Sequence, residues 1–184
     1  MKRTINDTVN IINEYIAKFG KDDKIKKLED NLSSLVNLSD FIYYAKNAKE
    51  VNFDSLENQI IESGNYDEIK SFASAISDIE SVNISKLEDA ICNSADPKYI
   101  YQFAFEVKNA DINKLEDAVC KAQDAEYICY FARDIKGADI DKLQHAIHTL
   151  PNTYTNIKYL NILSKISKKN KCIELEKEID DLLK

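Results

Sequence analysis

Tryptophan is missing from this 184-residue chain; glycine occurs three times, proline twice and methionine once. So little glycine and proline leaves small room for the many tight turns of a sheet protein, which need positive or fixed φ angles. Four cysteines (Cys92, Cys120, Cys129 and Cys172) are too few for a disulfide-built scaffold. No stretch is apolar for long enough to span a bilayer. The opening MKRTINDTVN turns polar at once, without the apolar centre of a signal peptide, so a cytoplasmic location is expected. Also missing are a glycine-rich phosphate loop, a Gly-x-Ser-x-Gly turn, a CxxC and an HExxH. No histidine-centred triad can be placed on the two histidines present. The expectation is a chain that is not an enzyme, with no catalytic residues, no cofactor and no metal.

What the chain has is repetition. Ile84–Asp111 reads ISKLEDAICNSADPKYIYQFAFEVKNAD and Ile112–Asp139 reads INKLEDAVCKAQDAEYICYFARDIKGAD, two copies of one 28-residue unit. Diverged copies begin at Ile25, Phe53 and Ile140. The fourth position is Leu28, Leu56, Leu87, Leu115 or Leu143, and the eighth is Leu32, Ile60, Ile91, Val119 or Ile147. Residues one turn apart share a helix face, so the first half of each unit is an amphipathic helix. Position thirteen is Asn37, Asn65, Asp96, Asp124 or Asn152, residues that accept from free N–H groups at a helix start. A second helix comes next, with the one-sided stripes Ile69, Phe72, Ala73, Ile76; Ile100, Phe103, Ala104, Val107; and Ile128, Phe131, Ala132, Ile135. Positions two and five (Asp54 and Glu57, Ser85 and Glu88, Asn113 and Glu116, Asp141 and Gln144) have the form of capping boxes for the first helix. The first copy has Lys26 there, so its cap is expected at Asp22 or Asp23.

Two short helices with one apolar stripe apiece bury too little alone and share a core when stacked. The expected fold is all-α: a right-handed α-solenoid of about five two-helix repeats with N- and C-terminal capping helices, a single domain over residues 1–184. Residues 1–24 form the N-terminal cap, with the stripe Ile5, Val9, Ile12, Ile16 and Phe19 ending at Gly20. The repeats are 25–52, 53–83, 84–111, 112–139 and 140–171, and 172–184 is the C-terminal cap helix, keeping Leu175 and Ile179 at repeat-like positions. The first repeat carries an aromatic second helix around Phe41, Tyr43 and Tyr44. The second is three residues too long, and the surplus near Ser77–Ser81 is expected to lengthen its second helix by a turn. The fifth carries Pro151, with about one residue inserted before Ile157 and Leu160-Asn161 in place of Phe-Ala; SKISKKNK (164–171) reads as a basic joint.

The helix-turn-helix stack resembles the α-solenoids, the tetratricopeptide, HEAT and armadillo repeats, although its period is shorter than theirs and nearer the leucine-rich-repeat variant. Tyr99-Ile100-Tyr101 with Phe103-Ala104, Tyr127-Ile128-Cys129 with Phe131-Ala132, and Lys136-Gly137-Ala138-Asp139 resemble tandem repeats in proteins of low-GC Gram-positive bacteria and their phages. That resemblance implies an architecture, and by analogy the binding of another macromolecule.

Two sets of residues are candidates for a binding surface. Positions five and six (Glu29-Asp30, Glu57, Glu88-Asp89 and Glu116-Asp117) recur once per repeat and form an acidic ridge. Helix capping and the helix dipole explain such acids equally well. As a surface, the ridge suits a protein partner with a basic face. Tyr43, Tyr99, Tyr101, Tyr127 and Tyr130 lie mostly off the buried stripe and can anchor a partner or pack between repeats. His145 and His148 share a helix face, but a zinc site needs further ligands. Cys92 and Cys120 both occupy position nine, and repeats about 10 Å apart are too distant for a disulfide. A net charge of −7 argues against direct nucleic-acid binding, and no membrane contact is expected. The function expected is that of a non-catalytic protein-binding solenoid. Its sharper form is a phage or mobile-element inhibitor, anti-CRISPR-like, whose acids block a basic nucleic-acid groove. The alternatives are a HEAT-like nucleic-acid binder using Lys108, Arg133, Lys136 and the 165–171 cluster, and a self-associating structural module.

Overall fold

An asparagine or aspartate stands at the start of most helices of this chain, and its carboxyl or amide oxygen takes the first free backbone donors. The computed structural model describes residues 4–30, 32, 36–79, 82–151 and 153–182. Among them the regular structure is helical and no strand occurs, so the chain is all-α. The helices are α1 (Ile5–Phe19), α2 (Asp23–Glu29), α3 (Leu38–Asn47), α4 (Phe53–Glu62), α5 (Tyr66–Ile76), α6 (Ser85–Asn93), α7 (Pro97–Glu106), α8 (Ile112–Lys121), α9 (Ala125–Asp134), α10 (Ile140–His148) and α11 (Tyr154–Leu182).

The position-thirteen caps form as the spacing predicts. Asn37 accepts from the Asp40 N–H at 3.0 Å, Asn65 from Glu68 at 3.3 Å, and Asp96 from Lys98 at 2.9 Å. Asp124 accepts from Glu126 and Tyr127 at 2.9 and 3.2 Å. Asn152 lies outside the described residues, and Thr153 accepts from the Asn156 N–H at 3.1 Å at the start of α11. Asp22 caps α2, accepting from Lys24 and Ile25 at 3.0 and 3.2 Å.

The capping boxes are a correction. Asp54, Asn113 and Asp141 are not caps: the caps are Asn52, Asp111 and Asp139, one residue before the unit's first position, accepting from Ser55, Lys114 and Lys142 at 3.2, 3.1 and 3.0 Å. The apolar first residue (Phe53, Ile112 or Ile140) is already helical. Position five therefore lies more than a full turn inside the helix, where the inward face runs.

The stripes of the second helices are buried as expected: Ile69, Phe72, Ala73 and Ile76; Ile100, Phe103, Ala104 and Val107; Ile128, Phe131, Ala132 and Ile135. The chain divides into two compact units, residues 1–91 with 106–109, and residues 92–105 with 110–184. In the first, α1 packs on α3, α3 on α5 and α4 on α5, with the Phe41 and Phe72 rings 5.2 Å apart. Val9, Ile12 and Ile16 are buried there, whereas Phe19 at the end of the α1 stripe is exposed. In the second, α8, α9 and α10 pack on one another and α11 lies against α9 and α10.

Three further expectations are corrected. The surplus of the second repeat does not lengthen α5, which ends at Ile76; it opens into turns at Ile79 and Val82, and Ser81 lies outside the described residues. The segment 164–171 is no joint, because α11 runs unbroken through it from Tyr154 to Leu182, a stretch without glycine or proline. The side chains of Cys172, Leu175 and Ile179 lie outside the described residues. No residue is inserted before Ile157: Tyr159 and Leu163 are buried at positions twenty and twenty-four in the unbroken count, and Ile157 is exposed.

A second periodicity appears only in the backbone. Positive φ recurs at position twelve, in Gly64, Ala95 and Gln123, and at position twenty-six, in Glu50, Asn109 and Gly137. The third and fourth copies show both turns. In the fifth copy position twelve is Pro151, whose ring holds φ negative and forbids that turn. A left-handed alanine costs about 1 kcal/mol that glycine does not. Ala95→Gly is therefore expected to stabilise the chain by about 0.5–1 kcal/mol in urea unfolding, and Gly137→Ala to destabilise it by a similar amount. Equal midpoints for wild type and both variants would show these turns to be unstrained.

Candidate functional site

The residues expected on an acidic ridge do not share one environment. Glu29, Glu57, Glu88 and Glu116 are buried, at most 4% exposed. The sequence placed Glu57, Glu88 and Glu116 on an outward ridge; Glu57 and Glu116 lie one turn deeper in their helices and turn inward, and Glu88, in the first turn of α6, is buried as well. Glu29 accepts from the Asn52 N–H at 3.1 Å and from the Tyr44 hydroxyl at 3.0 Å, and Lys21 lies 2.6 Å from its other oxygen. Glu116 accepts from the Asp139 N–H at 2.6 Å, with Lys142 2.7 Å from its other oxygen. Asn52 and Asp139 are the caps of the next unit's first helix, so each carboxylate ties one unit to the start of the following one. Asp89 and Asp117 do face outward. Asp117 is held by Lys142 at 2.7 Å, and that hydrogen bond brings its pKa below the usual carboxylate value.

Glu57 departs from this pattern. The cap of the following helix, Asn83, stands beyond the three-residue surplus, and among the described residues nothing donates to Glu57. Lys86 turns instead to Asp54, with Asn58 at 3.5 Å. Burial pushes the Glu57 carboxyl up to about 7.

The tyrosines sort into a cluster and two outliers. Tyr101 of α7 and Tyr127 and Tyr130 of α9 come together, with ring centroids 5.8–6.2 Å apart. Phe105 joins them at 6.0 Å from Tyr101, one turn further along α7, and is 61% exposed. The sequence reading missed Phe105, although its i, i+4 spacing from Tyr101 on the face opposite Phe103 was available. Polar bonds hold the rings in place. The Tyr101 hydroxyl donates to Asp134 at 2.8 Å, and the Tyr130 hydroxyl donates to Glu126. Arg133 grips Asp134 through Nε and Nη2 at 2.8 and 2.7 Å and lies 4.9 Å over the Tyr130 ring. The Glu126 bond pushes the Tyr130 phenol up to about 12, burial raises Tyr101 and Tyr127, and Arg133 holds Asp134 low. At neutral pH the face thus presents neutral phenols beside the ionised Asp134.

Tyr43 lies in the first unit and donates to Asn6 at 2.6 Å, joining α3 to α1. Tyr99 stands beside Lys98, whose ammonium lies 5.2 Å over the ring. His145 and His148 are both exposed on α10, and among the described residues no three histidine, cysteine or acidic side chains converge as metal ligands. Cys92 and Cys120 are half-buried thiols in no disulfide, and burial pushes Cys120 up to about 11. Lys108 pairs with Asp78 at 2.7 Å and Arg133 with Asp134, so two of the cations proposed for a nucleic-acid face are already tied to carboxylates.

Among the described residues no helix is long and apolar enough to cross a membrane. Comparison with family models, curated proteins and solved structures finds no match to this chain. What the described residues define is an all-α chain of capped helical hairpins with an aromatic face on α7 and α9.

The buried Glu57 yields a pH test. Its folded pKa lies above its ordinary value of 4.5, so its contribution is fully present below about 4.5 and is lost as pH rises through about 7. Glu57→Gln is expected to match wild type near pH 4.5 and to exceed it above pH 7 by on the order of 1–3 kcal/mol. The check is urea unfolding across pH; a constant difference would place an ionised partner beside Glu57. Glu116→Ala, by contrast, is expected to lose about 1–3 kcal/mol at neutral pH, because it leaves the part-buried Asp139 N–H without its acceptor and Lys142 with Asp117 alone.

Proposed function

We propose that this chain is a non-catalytic protein-binding scaffold, a right-handed α-solenoid of about five two-helix repeats, that docks a partner on the aromatic face of α7 and α9. The exposed ring of Phe105, stacked on Tyr101 beside Tyr127 and Tyr130, is the observation that carries it. Large aromatic side chains and arginine dominate binding energy where they are desolvated, and rings already held in place lose little entropy on docking. The 28-residue period and the carboxylate ties between consecutive units support the solenoid. The narrower proposal, a phage or mobile-element inhibitor that blocks a bacterial defence protein, keeps Asp30, Asp89 and Asp117 of the acidic residues that motivated it, since Glu29, Glu57, Glu88 and Glu116 are buried.

Immobilised wild type and the double variant Phe105→Ala, Tyr127→Ala are to be compared side by side for capture from a Gram-positive lysate, with circular dichroism to confirm the fold. The expected result is a partner held by wild type and weakened at least about tenfold by the variant. Recovery of chaperones alone, or equal capture by both, would end the proposal.

A further inference from the structure

We infer that the cleft between α10 and α11 binds a small phosphate-bearing molecule. Its volume is about 490 Å³. α10 lines it with His145 and His148, three residues apart on one face, and with Gln144. α11 supplies Ser164, Ser167 and the ammonium of Lys168. Imidazole, amide, hydroxyl and ammonium groups are the donors that a tetrahedral oxyanion accepts from. The Gln144 amide donates to the Ser164 oxygen at 3.3 Å, which leaves that hydroxyl's own hydrogen for a ligand. One carboxylate, that of Asp141, also lines the cleft.

The charge pattern of the chain points the same way. Between Asp141 and Glu174 there are six lysines, both histidines and no acidic residue, in a chain of net charge −7; of the lysines, Lys168 lines the cleft and Lys142 is paired with Glu116 and Asp117. The acidic surplus therefore lies wholly outside this stretch. An extended polyanion would meet that surplus and be repelled, whereas a ligand with one or two phosphate groups fits within the cleft. The inference stands apart from the aromatic face and does not depend on it.

The test is titration of the full chain with inorganic pyrophosphate at low salt, read by calorimetry and by the imidazole resonances of the two histidines. A saturable shift of both His145 and His148 is expected. Lys168→Glu and His145→Ala are expected to weaken binding at least about tenfold, and Asp141→Asn to tighten it about threefold. All three positions are exposed, so the helices tolerate the changes. Lys136→Glu, an exposed cation outside the cleft, leaves the affinity unchanged. Absence of a saturable shift overturns the inference. So does equal weakening by Lys136→Glu, which marks diffuse attraction, or a shift caused by a single-stranded oligonucleotide but not by pyrophosphate.

Discussion

A buried carboxylate reaching the backbone N–H of the next helix's cap is the contact on which the succession of units depends. A glutamate removed from water is costly unless its lone pairs are filled, and a buried N–H without an acceptor is costly as well. Glu29 accepts from the part-buried Asn52 N–H and Glu116 from that of Asp139, which offsets part of both costs, and a lysine faces the other oxygen of each carboxylate. Such a bond adds modest net stability but tolerates little error in register, so it specifies where the next hairpin begins. The second repeat shows the converse: three surplus residues carry the following cap away, and Glu57 is left as a carboxyl that burial keeps partly protonated near neutrality.

Around these ties the hairpins are built from local chemistry. A left-handed residue at position twelve closes the first helix, and the Asn or Asp at position thirteen opens the second. At Pro151 the left-handed residue is absent, yet α11 still packs on α10 as a second helix would, and it then runs on through Lys165, at position twenty-six, without a turn. The hydrophobic register persists into this helix, since Tyr159 and Leu163 fill the positions of Phe131 and Ile135.

The residues left over from folding are few, which is why the aromatic face stands out. Phe103 and Phe131 are spent on the core, while Phe105, one helix face away, is held in solvent. Its tyrosine neighbours are braced by Asp134, Glu126 and Arg133, all of them surface residues whose bonds contribute more to ring placement than to stability.

Helix content, the second-helix caps and the buried stripes were legible in the sequence, because hydrophobic spacing and Asx capping act over three or four residues. The burial of Glu57 and Glu116 was not, because a glutamate in a first turn and one a turn deeper look alike until the cap is located; Glu88 is buried from the first turn itself. The gathering of Tyr101, Phe105, Tyr127 and Tyr130, like the meeting of α10 with α11, joins residues about one repeat apart. The amino-acid order by itself determined the repeating hairpin; the tertiary structure alone decided which charges face inward and which rings meet, since those outcomes depend on the angle at which one helix lies against another.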